Sequence, residues 1–109
     1  MKWVTPLYIG KAASSKKAEI IRGIKAGNAP SDSYALILPP SGYDQLDIIR
    51  TLELKNDYYK NQEIIIIGIA FGRDDAIDLV ARIVNDSMRL TGKADIKEFL
   101  KARQREAGR

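Results

Sequence analysis

Four consecutive isoleucines, Ile64-Ile65-Ile66-Ile67, open the longest strongly apolar run of this chain, Ile64 to Phe71. β-Branched side chains are stiff and favour extended backbone. Successive strand residues point to opposite faces, so an unbroken apolar run needs cover on both. The stretch from Glu63 to Ala70 is therefore predicted as the central strand of a sheet held between two layers. It is far short of the ~20 apolar residues that a membrane-crossing helix needs.

The flanking segments supply the layers. Leu7-Tyr8-Ile9 is a second strand candidate. Pro6 cannot donate to a ladder, so this strand starts at or after it, or lies at an edge. A helix follows, with Ser14 or Ser15 as cap and Ile20, Ile21 and Ile24 at helical spacing. Gly27-Asn28 stops it, and Gly23 within it costs about 1 kcal/mol against Ala unless it permits a close crossing. Tyr34-Ala35-Leu36-Ile37-Leu38 is another doubly covered strand, ended by Pro39-Pro40-Ser41-Gly42. Residues 43–61 fit two patterns, and the compromise is a short strand at Leu46–Ile49 and a short helix near Leu52–Tyr59.

Asp74 to Leu90 is the clearest helix. Ile77, Val80, Ala81, Val84 and Met88 recur at helical spacing, and Leu79, Ile83 and Leu90 widen that face for packing on a sheet. Asp95 and Glu98 form a capping-box-like pair for a last helix bearing Ile96, Phe99 and Leu100. Ala102 to Arg109 reads as a frayed tail. The expected fold is α/β: a single small three-layer domain over residues 1–109, with three or four mainly parallel strands and helices packed on the sheet.

Two absences limit the chemistry. The chain has no Cys and no His. A thiolate nucleophile, a Ser–His–Asp triad and a HExxH zinc site are therefore impossible within it. Carboxylates, Lys, Tyr, Ser and Thr remain, and a metal would need oxygen ligands. The N-terminal apolar stretch is broken by Thr5 and Pro6, and Lys11 stands where a cleavage site would begin. The expected setting is the cytoplasm, with no membrane partner.

Charge is uneven. Residues 1–27 hold six bases and one acid, residues 28–92 six bases and ten acids, and residues 93–109 six bases and three acids. The net charge of +4 thus resolves into basic ends around an acidic middle. Nucleic acid is one possible partner for such ends. Pairing between basic and acidic elements is the simpler account, because no run of five bases and no aromatic-basic stacking motif occurs.

Several short clusters carry a resemblance. Leu7-Tyr8-Ile9-Gly10-Lys11, Asp44-Gln45-Leu46-Asp47-Ile48, Tyr58-Tyr59, Ile67-Gly68-Ile69-Ala70 with Gly72, and Thr91-Gly92 before Asp95-Ile96-Lys97 resemble a group of small bacterial α/β proteins of unknown function. The resemblance implies the fold class and transfers no activity or site.

Candidate sites follow from the expected topology. Ligands of open parallel sheets bind where strand C-termini meet helix N-termini. Gly72 and Arg73 precede the long helix, and Ser41, Gly42, Tyr43, Asp44 and Gln45 follow the second strand. In a parallel sheet both loops share an edge and can frame a small-ligand or anion pocket; turn geometry alone also explains them. The segment is neither a P-loop nor a GxGxxG fingerprint. Asp74, Asp75 and Asp78 suit a helix start without metal. Asp44 or Asp47 with Glu53-Leu54-Lys55 matches only the outline of a metal-nuclease pattern. Tyr58-Tyr59 and Trp3 each suit either a half-buried edge or a contact surface.

No motif implies a cofactor. The sequence favours a non-catalytic binding or assembly module, with a homo-oligomer or another protein as partner. A ligand-binding protein or enzyme using the Ser41–Gln45 and Gly72–Arg73 edge is the alternative. Nucleic-acid association through the basic ends is a second.

Overall fold

The isoleucine run forms the strand at the heart of a four-stranded sheet. A computed structural model describes residues 1–39 and 46–107. Its elements are β1 (Lys2–Ile9), α1 (Lys17–Ala26), β2 (Ser33–Leu38), β3 (Asp47–Arg50), α2 (Asp57–Lys60), β4 (Ile65–Phe71), α3 (Arg73–Thr91) and α4 (Ile96–Ala107). Two 3-10 turns, Ser14–Lys16 and Thr51–Lys55, precede α1 and α2. Strand order is β1-β4-β2-β3.

The sheet is mixed, which corrects the expectation of mainly parallel strands. β1 runs parallel to β4, while β2 is antiparallel to both β4 and β3. The cause lies in the connection after α1. Gly27 adopts the left-handed conformation (φ 79°) and ends the helix, as its sequence position predicts. The chain then returns to the edge where β4 finishes, and the Gly72 N–H donates to the Asp32 carbonyl at 2.8 Å. Ser33 therefore starts opposite Phe71. Alternating strands and helices predict layers, but hydrophobic periodicity carries no strand direction.

Each face of the sheet has its own core. Ala35, Ile37, Ile64, Ile66 and Ile69 pack with Ile20 and Ile24 of α1 and with Leu54. Leu36, Leu38, Ile67 and Ala70 pack with Leu79 and Ile83 of α3 and with Ile96 and Phe99 of α4. A register shift pairs Leu36 with Gly68 but Ile37 with Ile66, so Ile67 is the extra residue of a bulge in β4. Gly68 is needed beside it, since a Cβ there would lie 3.0 Å from Leu79 Cδ2 and from Tyr8 Cβ.

β1 is an edge strand that begins at Lys2, before Pro6, and its Thr5–Pro6 peptide is cis. Trp3 packs on the first core, with the Lys25 ammonium 5.6 Å from its ring centre. Residues 47–60 follow the compromise read from sequence, as a short strand, a 3-10 turn and one helical turn. α4 continues to Ala107, past the point where the sequence suggests a tail. No described helix is long and apolar enough to cross a membrane.

Candidate functional site

The edge pocket expected from sequence depended on a parallel β2. Leu38 pairs with Ile65 and Ser33 with Phe71, so β2 leaves the sheet at the end opposite Gly72. Ser41, Gly42, Tyr43, Asp44 and Gln45 lie outside the described residues. Gly72 has φ 88°, a value open to glycine, and shapes the turn into α3. Arg73 is exposed at the first position of that helix.

The neighbour of α3 at this edge is the end of β1. Gly10 passes so close to Asp75 that a Cβ there would collide with the carboxylate. Asp75 accepts the Phe71 N–H at 3.0 Å and the Ala12 N–H at 3.2 Å, clamping the ends of β4 and β1 together. The carboxylate is thus committed to backbone, while Asp74 and Asp78 face solvent. Among the described residues no group of three or more carboxylates converges to hold a metal ion. Glu53 sits in a 3-10 turn and accepts the Arg50 N–H at 3.2 Å, so Glu53 and Lys55 do not line up along a strand.

Between β1 and α3 runs an open groove of about 770 Å³, whose charged lining includes Lys11, Asp78, Arg82, Asp86 and Arg89. It continues past Asp86 and Arg89 to Leu90, Phe99 and Arg103. Tyr8 is its centre. The phenol donates to Asp86 Oδ2 at 2.7 Å, and Arg89 pairs with the other oxygen of that carboxylate. The Arg103 guanidinium lies 4.5 Å and the Arg82 guanidinium 5.8 Å from the Tyr8 ring centre. Arg103 donates to the Pro6 carbonyl and Arg82 to the Ile9 carbonyl, each at 2.6 Å. Edge-strand carbonyls are thereby capped by side chains from both C-terminal helices.

The electrostatics match a brace. Burial, then the hydrogen bond and charge of Asp86, push the Tyr8 phenol up to about 12 against the partial relief of Arg103 and Arg82. Burial pushes Asp86 up, but hydrogen bonds from Tyr8 and Arg89 and the charges of Arg89 and Arg82 together hold it below the usual carboxylate range. At neutral pH the phenol keeps its proton and the carboxylate stays ionised. That arrangement suits fixed charge and cohesion better than proton transfer.

No family model, curated protein or solved structure matches the chain. No site is therefore carried over from a known protein.

Sequence reasoning did not single out the Tyr8 cluster. Tyr8 and Asp86 are 78 positions apart. Only the spacing of Arg82, Asp86 and Arg89 on one face of α3 was available as a signal.

The outward side of α3 differs from the sequence expectation. Of the wide face read from sequence, Leu79, Ile83 and Val80 meet the core together with Ala76, whereas Ile77, Ala81, Val84 and Met88 are not part of it. Ile77 is 47% and Met88 49% exposed. Ala81 is exposed and Val84 half-buried. The spacing of these four residues is that of a coiled-coil seam. Apolar residues cover so much of the helix that periodicity cannot choose which of its two faces meets the sheet. Met1, Ile48, Leu52, Tyr58 and Leu90 are also exposed among the described residues, and the Tyr58 ring stands edge-on to Tyr59 at 4.9 Å.

Proposed function

We propose that this chain is a non-catalytic binding or assembly module that works through the outward face of α3. The observation carrying this reading is the second apolar stripe, Ile77, Ala81, Val84 and Met88, on a helix whose first stripe already covers the sheet. Leaving large apolar side chains in water at coiled-coil spacing gains nothing for the monomer and suits a partner helix. The chemistry-bearing groups support the same reading. Asp75, Tyr8, Asp86, Arg82 and Arg103 are all engaged within the fold.

Light scattering on the chain purified under native conditions from the cells that make it tests this. The expected species is heavier than one chain, and Ile77→Asp with Met88→Asp reduces it to one chain. Nucleotide and metabolite panels are expected to leave the melting temperature unmoved. A single-chain mass together with a panel compound that raises the melting temperature would overturn the proposal.

The groove between β1 and α3 supports a second reading, a small anionic ligand. Lys11, Arg82 and Arg89 line it, but Asp75, Asp78 and Asp86 line it too, which leaves its charge balanced. A melting-temperature shift lost in Arg82→Ala would favour this reading.

A further inference from the structure

We infer that the start of β1 is a docking site for single-stranded nucleic acid, built where the two basic ends of the chain meet. The site is separate from the outward face of α3.

β1 lies at the edge of the sheet and begins at Lys2. Its side chains alternate between the two faces, so Trp3 packs on the first core and Val4 on the second. On the Trp3 side, α1 brings Lys25, whose ammonium lies 5.6 Å from the indole centre. On the Val4 side, α4 brings Lys101 and Gln104, which share a shallow groove of about 240 Å³ with Val4 and Ile65. Lys2 falls on the Val4 side by the same alternation. The basic segments 1–27 and 93–109 thus close on one strand edge, one from each face of the sheet.

The acidic middle of the chain does not neutralise this edge. Lys2 meets Glu63 at 3.8 Å, but both side chains are largely exposed, 73% and 80%, and such a pair leaves Lys2 available. Among the described residues no ion pair engages Lys25 or Lys101, and both are exposed. Arg103 takes no part, since the Pro6 carbonyl holds it. Three ammoniums against one carboxylate suit a polyanion. Of the large exposed apolar side chains among the described residues, Met1 alone adjoins these cations in sequence, too little to anchor a lipid surface. Trp3 selects the kind of polyanion. Its ring is half-buried at the strand edge beneath an ammonium. An unpaired base can stack at that rim while Lys25 turns to the adjoining phosphate, whereas a base inside a duplex cannot. Stacking and phosphate contact read no base edge, so binding is expected to tolerate any sequence.

Trp3 is the chain's one tryptophan, so its emission reports the site directly. The experiment titrates a labelled oligothymidylate of about 20 nucleotides with the purified full chain, following anisotropy and, with unlabelled strand, Trp3 emission. Anisotropy is expected to rise with a Kd on the order of 10 μM at about 50 mM salt. Trp3 emission should change over the same range. Contact of three ammoniums with phosphates predicts a loss of about twentyfold in affinity between about 50 and about 200 mM salt. Lys25→Glu with Lys101→Glu should weaken binding by about tenfold or more, with an unchanged circular dichroism spectrum because both positions are exposed. Lys17→Glu with Arg73→Glu makes the same change in net charge at the other end of the sheet and should shift affinity by about twofold or less. No anisotropy change at low salt overturns the proposal. So does binding that leaves Trp3 emission unmoved, or an equal loss in the two paired variants. A duplex of the same length bound as tightly would reject the single strand, and equal competition by polyglutamate would assign the edge to an acidic protein instead.

Discussion

The most constrained residues lie where β1 ends. Gly10 has no room for a side chain because Asp75 reaches past it to the amides of Ala12 and Phe71. Hydrogen bonds to a charged acceptor contribute about 1.5–3 kcal/mol each, less when partly exposed. Asp75→Ala is expected to cost about 1–3 kcal/mol in urea unfolding. Gly10→Ala should cost a similar amount by displacing the carboxylate. The double variant should cost little more than either alone, because both remove the same clamp. Full additivity would show that Gly10 matters for another reason. Tyr8 gives a pH signature. An ordinary phenol in the unfolded chain releases its proton near 10.0, whereas the folded one keeps it to about 12. The Tyr8 contribution is therefore complete below pH 10.0 and is lost as pH rises through about 12. Spectrophotometric titration should show a late tyrosine step near pH 12, and Tyr8→Phe should abolish it.

At the scale of the element, α3 shows how far a pattern can be read. Its length, its acidic first turn and its Gly92 stop at φ 72° follow the sequence closely. Its orientation does not. Eight apolar residues between Ile77 and Leu90 spread over most of the circumference, so several faces satisfy the helical period. Packing against Leu36, Ile67 and Ala70 selects Leu79 and Ile83. Ile83→Ala should cost about 2–5 kcal/mol of stability, as expected for a buried isoleucine. Ile77→Ala should cost under about 1 kcal/mol in the dilute monomer. Chemical denaturation of both variants checks the assignment, and equal losses would contradict it. The other helices were more legible. Asp95 caps α4 by accepting the Glu98 N–H at 3.1 Å, as the paired acids suggest. Gly23 of α1 leaves no space for a Cβ against the Ala29 backbone, which is the close crossing its position implies.

Over the whole molecule, the basic ends and acidic middle meet only in part. Lys2 pairs with Glu63 across that division at 3.8 Å, while Lys93 pairs with Glu98 inside the C-terminal segment at 3.5 Å. Arg103 joins the last helix to the first strand through the Pro6 carbonyl. The sequence by itself determined the three layers, the central place of the isoleucine strand, the helix stops at Gly27 and Gly92, and the exclusion of Cys and His chemistry. Each of these depends on local period, backbone freedom or residue type. Only the tertiary structure decided the direction of β2, the face that α3 turns to solvent, and the meeting of Tyr8, Asp86, Arg82, Arg89 and Arg103. Those features depend on which distant segments share an edge, and a one-dimensional pattern of apolar and polar residues is the same whichever way a strand runs.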